Sequence, residues 1–165
     1  MVYLSTFVIS FLLYALNSSF LPHFWFNFNH IILILPFISL YSLRDKTIFP
    51  YILAVAIGIL YNTIILSSSP YFTVIFLLVT IVGKNIFSKI ASYGMSRAAF
   101  ILTIFGYLLY LASDWKLILN SYNQPKLYIS LLFNAFILFL VQIIFTKIFA
   151  KYFDWVEKTT TERYR

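Results

Sequence analysis

The stretch IFPYILAVAIGILYNTIILSSSPYFTVIFLLVTIV, Ile48 to Val82, decides how the chain is read. It holds two apolar runs, Ile48–Leu66 and Tyr71–Val82, and not one charged residue. Only Ser67, Ser68, Ser69 and Pro70 part them. Proline stops a helix and serine caps the next one, so the four residues predict a tight turn between two helices. An uncharged apolar run near the ~20 residues that a helix needs to cross a bilayer predicts a transmembrane segment.

Working outward, the same pattern repeats on both sides. Towards the N-terminus lie Val2–Leu16, extendable to Phe20, and Ile31–Leu43, which ends at Arg44, Asp45 and Lys46. Pro36 inside the second run is expected to kink its helix, as membrane helices tolerate. Between these runs, Leu21–His30 (LPHFWFNFNH) has aromatic and polar residues but no lysine or arginine, as an interfacial loop or short surface helix would. Towards the C-terminus, Tyr71–Val82 ends at Gly83 and Lys84. It is short, and Lys84 and Lys89 can snorkel to lengthen it. Two more runs follow, Ala98–Ala112 and Leu127–Phe149, and then a polar tail, Lys151–Arg165. The expected organisation is all-α, with a six-helix transmembrane domain over residues 1–150 and a short basic cytoplasmic tail over 151–165. A cleaved signal peptide fits poorly, since no basic residue precedes the first run and no A-x-A site follows it.

Composition agrees. Of 165 residues 62% are hydrophobic, 21% aromatic and only 10% charged. Soluble domains hold about 25% charged residues, and disordered chains invert the balance altogether. With no cysteine, disulfides, thiolate catalysis and cysteine metal sites are excluded together. The net charge of +7 would suggest nucleic acid in a soluble protein, but its placement has a simpler explanation. With the N-terminus inside, ten of the 12 Lys and Arg residues fall on the cytoplasmic side, and only Lys116 and Lys126 fall outside. This asymmetry predicts six crossings with both termini cytoplasmic, basic loops against anionic lipid, and no nucleic-acid partner.

Few residues suggest catalysis. Asp45, Asp114, Asp154, Glu157 and Glu162 all lie in loops or the tail, whereas ion pumps and intramembrane hydrolases need ionisable groups within their spans. His23 and His30 are seven apart on the outer side, which suits interfacial anchoring better than metal ligation. No phosphate-binding, dinucleotide-binding or nucleophile-elbow motif occurs. The expectation is no catalytic residue, no cofactor and no metal.

Two rows of residues suggest contacts. Ala54, Gly58 and Asn62 share one face of the third run, where small residues admit another helix and an amide can bond across. On the sixth run, Asn134, Ala135, Leu138 and Gln142 fall near one side, with Thr146 a turn further. Buried amides are costly unless paired. Two readings stand: internal glue between spans three and six, or a polar face for a partner helix or small ligand.

The run GILYNTIILSSSPYFTVIFLLVTIVG, Gly58 to Gly83, resembles the central signature of the bacterial rod shape-determining MreD family. Gly58 matches the family's glycine, Asn62 stands where an aspartate is common, and Ser67 to Ser69, running into Pro70, match its turn. Asn134 in LLFNAF resembles the asparagine that opens the family's last helix. The resemblance implies a multi-pass protein of the bacterial cytoplasmic (inner) membrane, a non-enzymatic scaffold of the cell-wall elongation complex. Its implied partner is an MreC-like single-span protein, which links it to a RodA-type glycosyltransferase, a penicillin-binding transpeptidase and MreB. Candidate contact residues are Ala54, Gly58, Asn62, Ser69, Pro70, Asn134 and Gln142. The family's fold is similar to that of substrate-binding S components of energy-coupling-factor vitamin transporters, which makes such a component the alternative. Trp25 and Trp115 could stack on its ligand.

Overall fold

The computed structural model describes residues 2–17, 32–64, 71–88, 94–113 and 125–162, and among them the chain is all-α. The described residues form seven α-helices: α1 (Val2–Ala15), α2 (Ile34–Arg44), α3 (Phe49–Ile64), α4 (Tyr71–Val82), α5 (Met95–Ser113), α6 (Pro125–Ile148) and α7 (Ala150–Glu162). A π-helical turn, Gly83–Phe87, extends α4. Among the described residues no single helix is both long and apolar enough to cross a membrane. The bent pair Leu132–Ile148 and Ala150–Thr161 meets the length and composition together, across an angle of 62°.

The central element is α2, which packs against each of the other six helices. All ten residues from Ile34 to Leu43 are buried, because α2 is apolar around its whole circumference apart from Ser39 and Ser42. The helix begins only at Ile34, so Pro36 falls in its first turn rather than mid-helix. Backbone N–H groups there have no intrahelical partner to lose, and the expected kink does not arise. Asn17, just past α1, accepts a hydrogen bond from the Leu33 N–H at 2.9 Å and ties the end of α1 to the start of α2.

Helix α1 turns its polar residues inward. Thr6 and Ser10 are fully buried, while Leu4, Val8 and Leu12 are 70%, 48% and 56% exposed. Thr6 and Ser10 return their hydroxyl protons to the carbonyls one turn back, at 2.8 Å each. Helix α6 repeats the inversion, with Asn134 and Gln142 buried and Leu132, Phe136 and Ile144 exposed.

The segment expected as a polar tail forms helix α7 through Glu162. Hydrogen bonds from Phe149 N–H to Phe145 O and from Phe153 N–H to Phe149 O carry the backbone across the bend from α6. The bend lays Phe153 and Val156 into the core, and the Phe153 ring sits 5.6 Å from that of Phe37 on α2. Helix α7 is amphipathic and short, so its apolar face needs this contact to hold it helical.

Candidate functional site

Helices α3 and α4 approach closely at the Gly58 row. A Cβ placed on Gly58 would collide with the Thr73 backbone, standing 2.8 Å from both its nitrogen and its Oγ1. Only glycine permits this approach. One turn on, Asn62 Nδ2 donates to Thr73 Oγ1 at 2.9 Å, and Asn62 Oδ1 accepts from the Phe72 N–H at 3.1 Å. Phe72 is the second residue of α4, so Asn62 satisfies one of the first-turn donors that a helix start leaves without a partner. Ala54 is fully buried on the same row. The partner of this row is therefore α4, not the sixth run. Ser69 and Pro70 lie outside the described residues.

The α6 row has a different neighbour. Gln142 Oε1 accepts from Thr103 Oγ1 of α5 at 2.8 Å, and Thr103 also bonds the Ala99 carbonyl at 2.9 Å. Thr146 donates to the Gln142 carbonyl at 2.7 Å. Asn134 is fully buried, yet neither end of its amide has a hydrogen-bond partner. The Tyr107 hydroxyl lies beside it without hydrogen-bond geometry. Ala135 instead lines an apolar cleft of about 250 Å³ between α5 and α6, with Phe100, Ile104 and Leu132. The glue expected between spans three and six is thus two separate seams, α3 with α4 and α6 with α5. Asn62 pairs with the Thr73 hydroxyl and Gln142 with that of Thr103, whereas the Asn134 amide pairs with neither neighbour.

A third cluster gathers at the α2–α3 junction. Asp45 is buried, 1% exposed. It accepts from the Tyr41 hydroxyl at 2.5 Å and from the Thr47 N–H at 2.7 Å. Thr47 Oγ1 then accepts from the Phe49 N–H at 3.1 Å, so consecutive side-chain turns lead the chain into α3. From the π turn after α4, the Lys84 ammonium donates to the Thr47 carbonyl and sits 5.1 Å over the Tyr51 ring. Burial lowers the Lys84 pKa, and the Asp45 charge opposes that shift. Arg44, the last residue of α2, reaches Asp154 at 2.9 Å and Glu157 at 2.5 Å on α7. The Tyr152 hydroxyl of α7 meets Thr6 of α1.

Sequence reasoning placed these charges in loops and did not bring them together. The available signal was the Asp154–Glu157 spacing, three residues apart on one helical face. His23, His30, Trp25, Asp114, Trp115 and Lys116 lie outside the described residues. Among the described residues no group of three histidine or acidic side chains converges on a point. What the cluster offers is an open cleft of about 390 Å³, whose wall combines Asp45, Lys46, Lys84 and Glu157 with Leu43 and Met95. No protein-family model, curated protein or solved structure matches the chain.

Proposed function

We propose that the chain is a non-enzymatic scaffold of the bacterial cytoplasmic membrane. In this reading α1 to α6 are six short spans and α7 lies at the inner face. The observation that carries the reading is the inverted distribution on α1 and α6, where Thr6, Ser10, Asn134 and Gln142 face inward and leucine, phenylalanine and isoleucine face outward. In water each such part-exposed side chain forgoes roughly half of the about 1.5–3 kcal/mol that full burial provides. In hydrocarbon the cost disappears, and the polar groups are the ones that must turn inward. Helices shorter than ~20 residues are accommodated by local thinning of the bilayer and by snorkelling of residues such as Lys84 and Lys147.

The role in cell-wall elongation rests on the resemblance of Gly58–Gly83 to the MreD family. On that reading the chain binds an MreC-like single-span protein and, through it, supports the RodA-type glycosyltransferase, the transpeptidase and MreB. With α3 engaged by α4 along the Gly58 row, a partner helix would dock on an outward apolar face, not on that row.

Reporter fusions and copurification test the proposal. Fusions after Arg44 and after Phe149 should read cytoplasmic, and those near Ser68 and Tyr122 external. An external reading after Phe149 overturns the six-span topology. An MreC-like protein expressed with the chain should copurify with it. A strong rise in melting temperature with one vitamin, and no such copurification, would instead identify a substrate-binding S component.

A further inference from the structure

We propose that the outward face of α7 seats in the headgroup layer of an anionic lipid surface. The inference deepens the membrane reading above and rests on it. One outward stripe runs down α6 and continues onto α7. On α6 it carries Leu140, Ile144 and Ile148, all exposed and apolar. At the end of α6 its character changes. Lys147, Lys151, Trp155 and Lys158 follow one another one helical turn apart, and all four are exposed. Trp155, 43% exposed, stands between Lys151 and Lys158. The 62° bend between the two helices falls at this boundary.

The opposite side of α7 is buried through Phe153, Val156 and Thr160, and it runs along α2. Phe153 meets Phe37 in the first turn of α2, and Glu157 reaches Arg44 at its last residue. Because α2 packs against all six other helices, the outward face of α7 looks sideways from the bundle, not off its end. A sideways face at the end of an apolar stripe is where hydrocarbon gives way to headgroups. Lysine stems lie along apolar surface while their charges reach the headgroups, and an indole favours the level between the two.

The acidic residues of α7 do not cancel this face. Asp154 and Glu157 lie to one side of it and both bond Arg44, at 2.9 and 2.5 Å. Among the described residues, Lys147, Lys151 and Lys158 enter no ion pair. From Lys147 to Lys158, with Arg44 included, four basic side chains stand against two acidic ones, a net charge of +2. The complement of a basic face with a tryptophan at its centre is an anionic lipid surface, whose attraction acts within a Debye length.

The test uses the full chain with Trp25→Phe and Trp115→Phe, which leave Trp155 as the single tryptophan. It is placed in nanodiscs of phosphatidylcholine, alone or mixed with phosphatidylglycerol. Shielding of Trp155 from acrylamide, and quenching by lipids brominated at shallow or deep acyl positions, report where the ring sits. The expected result is shielding in the mixed discs, stronger quenching by shallow than by deep bromines, and weaker shielding in phosphatidylcholine alone. Each of Lys147→Gln, Lys151→Gln and Lys158→Gln should lower the preference for phosphatidylglycerol by about fivefold at low salt, and added salt should lower it too. Lys116→Gln, assigned to the other membrane face by the charge asymmetry, should leave it unchanged. The three lysines are exposed, so their variants should fold. Should the tryptophan variants fail to fold, a polarity-sensitive fluorophore on Trp155→Cys reads the same position, since the chain has no other cysteine. Acrylamide access equal to that of a free indole overturns the proposal. Equal shielding in both lipids overturns it too, by removing the anionic selection, as does shielding that arises only with two chains in one disc, which would give the face to a second copy. An accessible Trp155 with the expected topology reporters would sink this inference alone, whereas failed reporters would sink the membrane reading with it.

Discussion

Replacing Gly58 with alanine puts a single methyl group into the α3–α4 seam. Its Cβ would stand 2.8 Å from Thr73 N and from Thr73 Oγ1, and closer still to the Thr73 Cα. Carbon atoms pack at about 3.5–4.0 Å, so the helices must part by roughly 1 Å. The obstruction is backbone, which no rotamer change relieves. Overpacking of this kind costs about 1–3 kcal/mol. Separation also stretches the Asn62 bonds to Thr73 and Phe72, now 2.9 and 3.1 Å, each worth about 0.5–1.5 kcal/mol. Alanine returns up to about 1 kcal/mol of helix propensity. The net expectation is a loss of about 1–3 kcal/mol, and a larger loss for Gly58→Leu. Gly94 provides the control, because a Cβ there meets only the Arg97 side chain at 3.6 Å and beyond. The assay is denaturant unfolding of the purified chain in mild detergent, comparing the two alanine variants with the parent. If Gly58→Ala matches Gly94→Ala, or is more stable than the parent, the seam is looser than described and the steric argument fails.

The two amides of α6 should respond in opposite directions. Asn134→Leu removes a buried, unpartnered amide at similar volume and should leave stability unchanged or raise it by about 1–3 kcal/mol, whereas Gln142→Leu removes the bond from Thr103, which keeps only its Ala99 carbonyl partner, and should lower it by about 1 kcal/mol; equal losses in unfolding midpoint would contradict the assignment. Phe153→Ala, deleting a ring that is 2% exposed, should cost about 3–5 kcal/mol or release α7 locally, read as faster hydrogen exchange over Ala150–Glu162. Arg44→Ala should loosen α7 far less, since part-exposed ion pairs contribute only about 0–1 kcal/mol, and in the parent that contribution should shrink with added salt. Because burial holds Lys84 below its ordinary 10.5, the unfolded chain binds that proton more firmly, and stability should rise with pH from the lowered value up to 10.5. Subtracting the pH profile of Lys84→Gln isolates this rise, and a flat difference would exclude it.

Helix segments were legible in the chain itself, because their signals are local. Tyr71–Val82 reads as one uncharged run between a serine–proline turn and a glycine–lysine end, and α4 occupies those residues. The faces were legible too, since helical periodicity puts Ala54, Gly58 and Asn62 in one row, and Asn134, Leu138 and Gln142 in another. Which neighbour each face meets was not legible. That choice depends on the rotation of every helix about its axis and on the space left by the others, so the Gly58 row meets Thr73 while Gln142 meets Thr103. Helix α7 escaped a hydropathy reading for a related reason. Its Phe153 and Val156 are too few to mark a helix in isolation, and they become core only when the bend after α6 lays them on α2. Asp45 is the sharpest case: a charged residue at a helix end reads as solvated. Only the meeting of Tyr41, Thr47 and Lys84 around it makes burial tolerable, by supplying hydrogen bonds and a compensating charge where water is excluded.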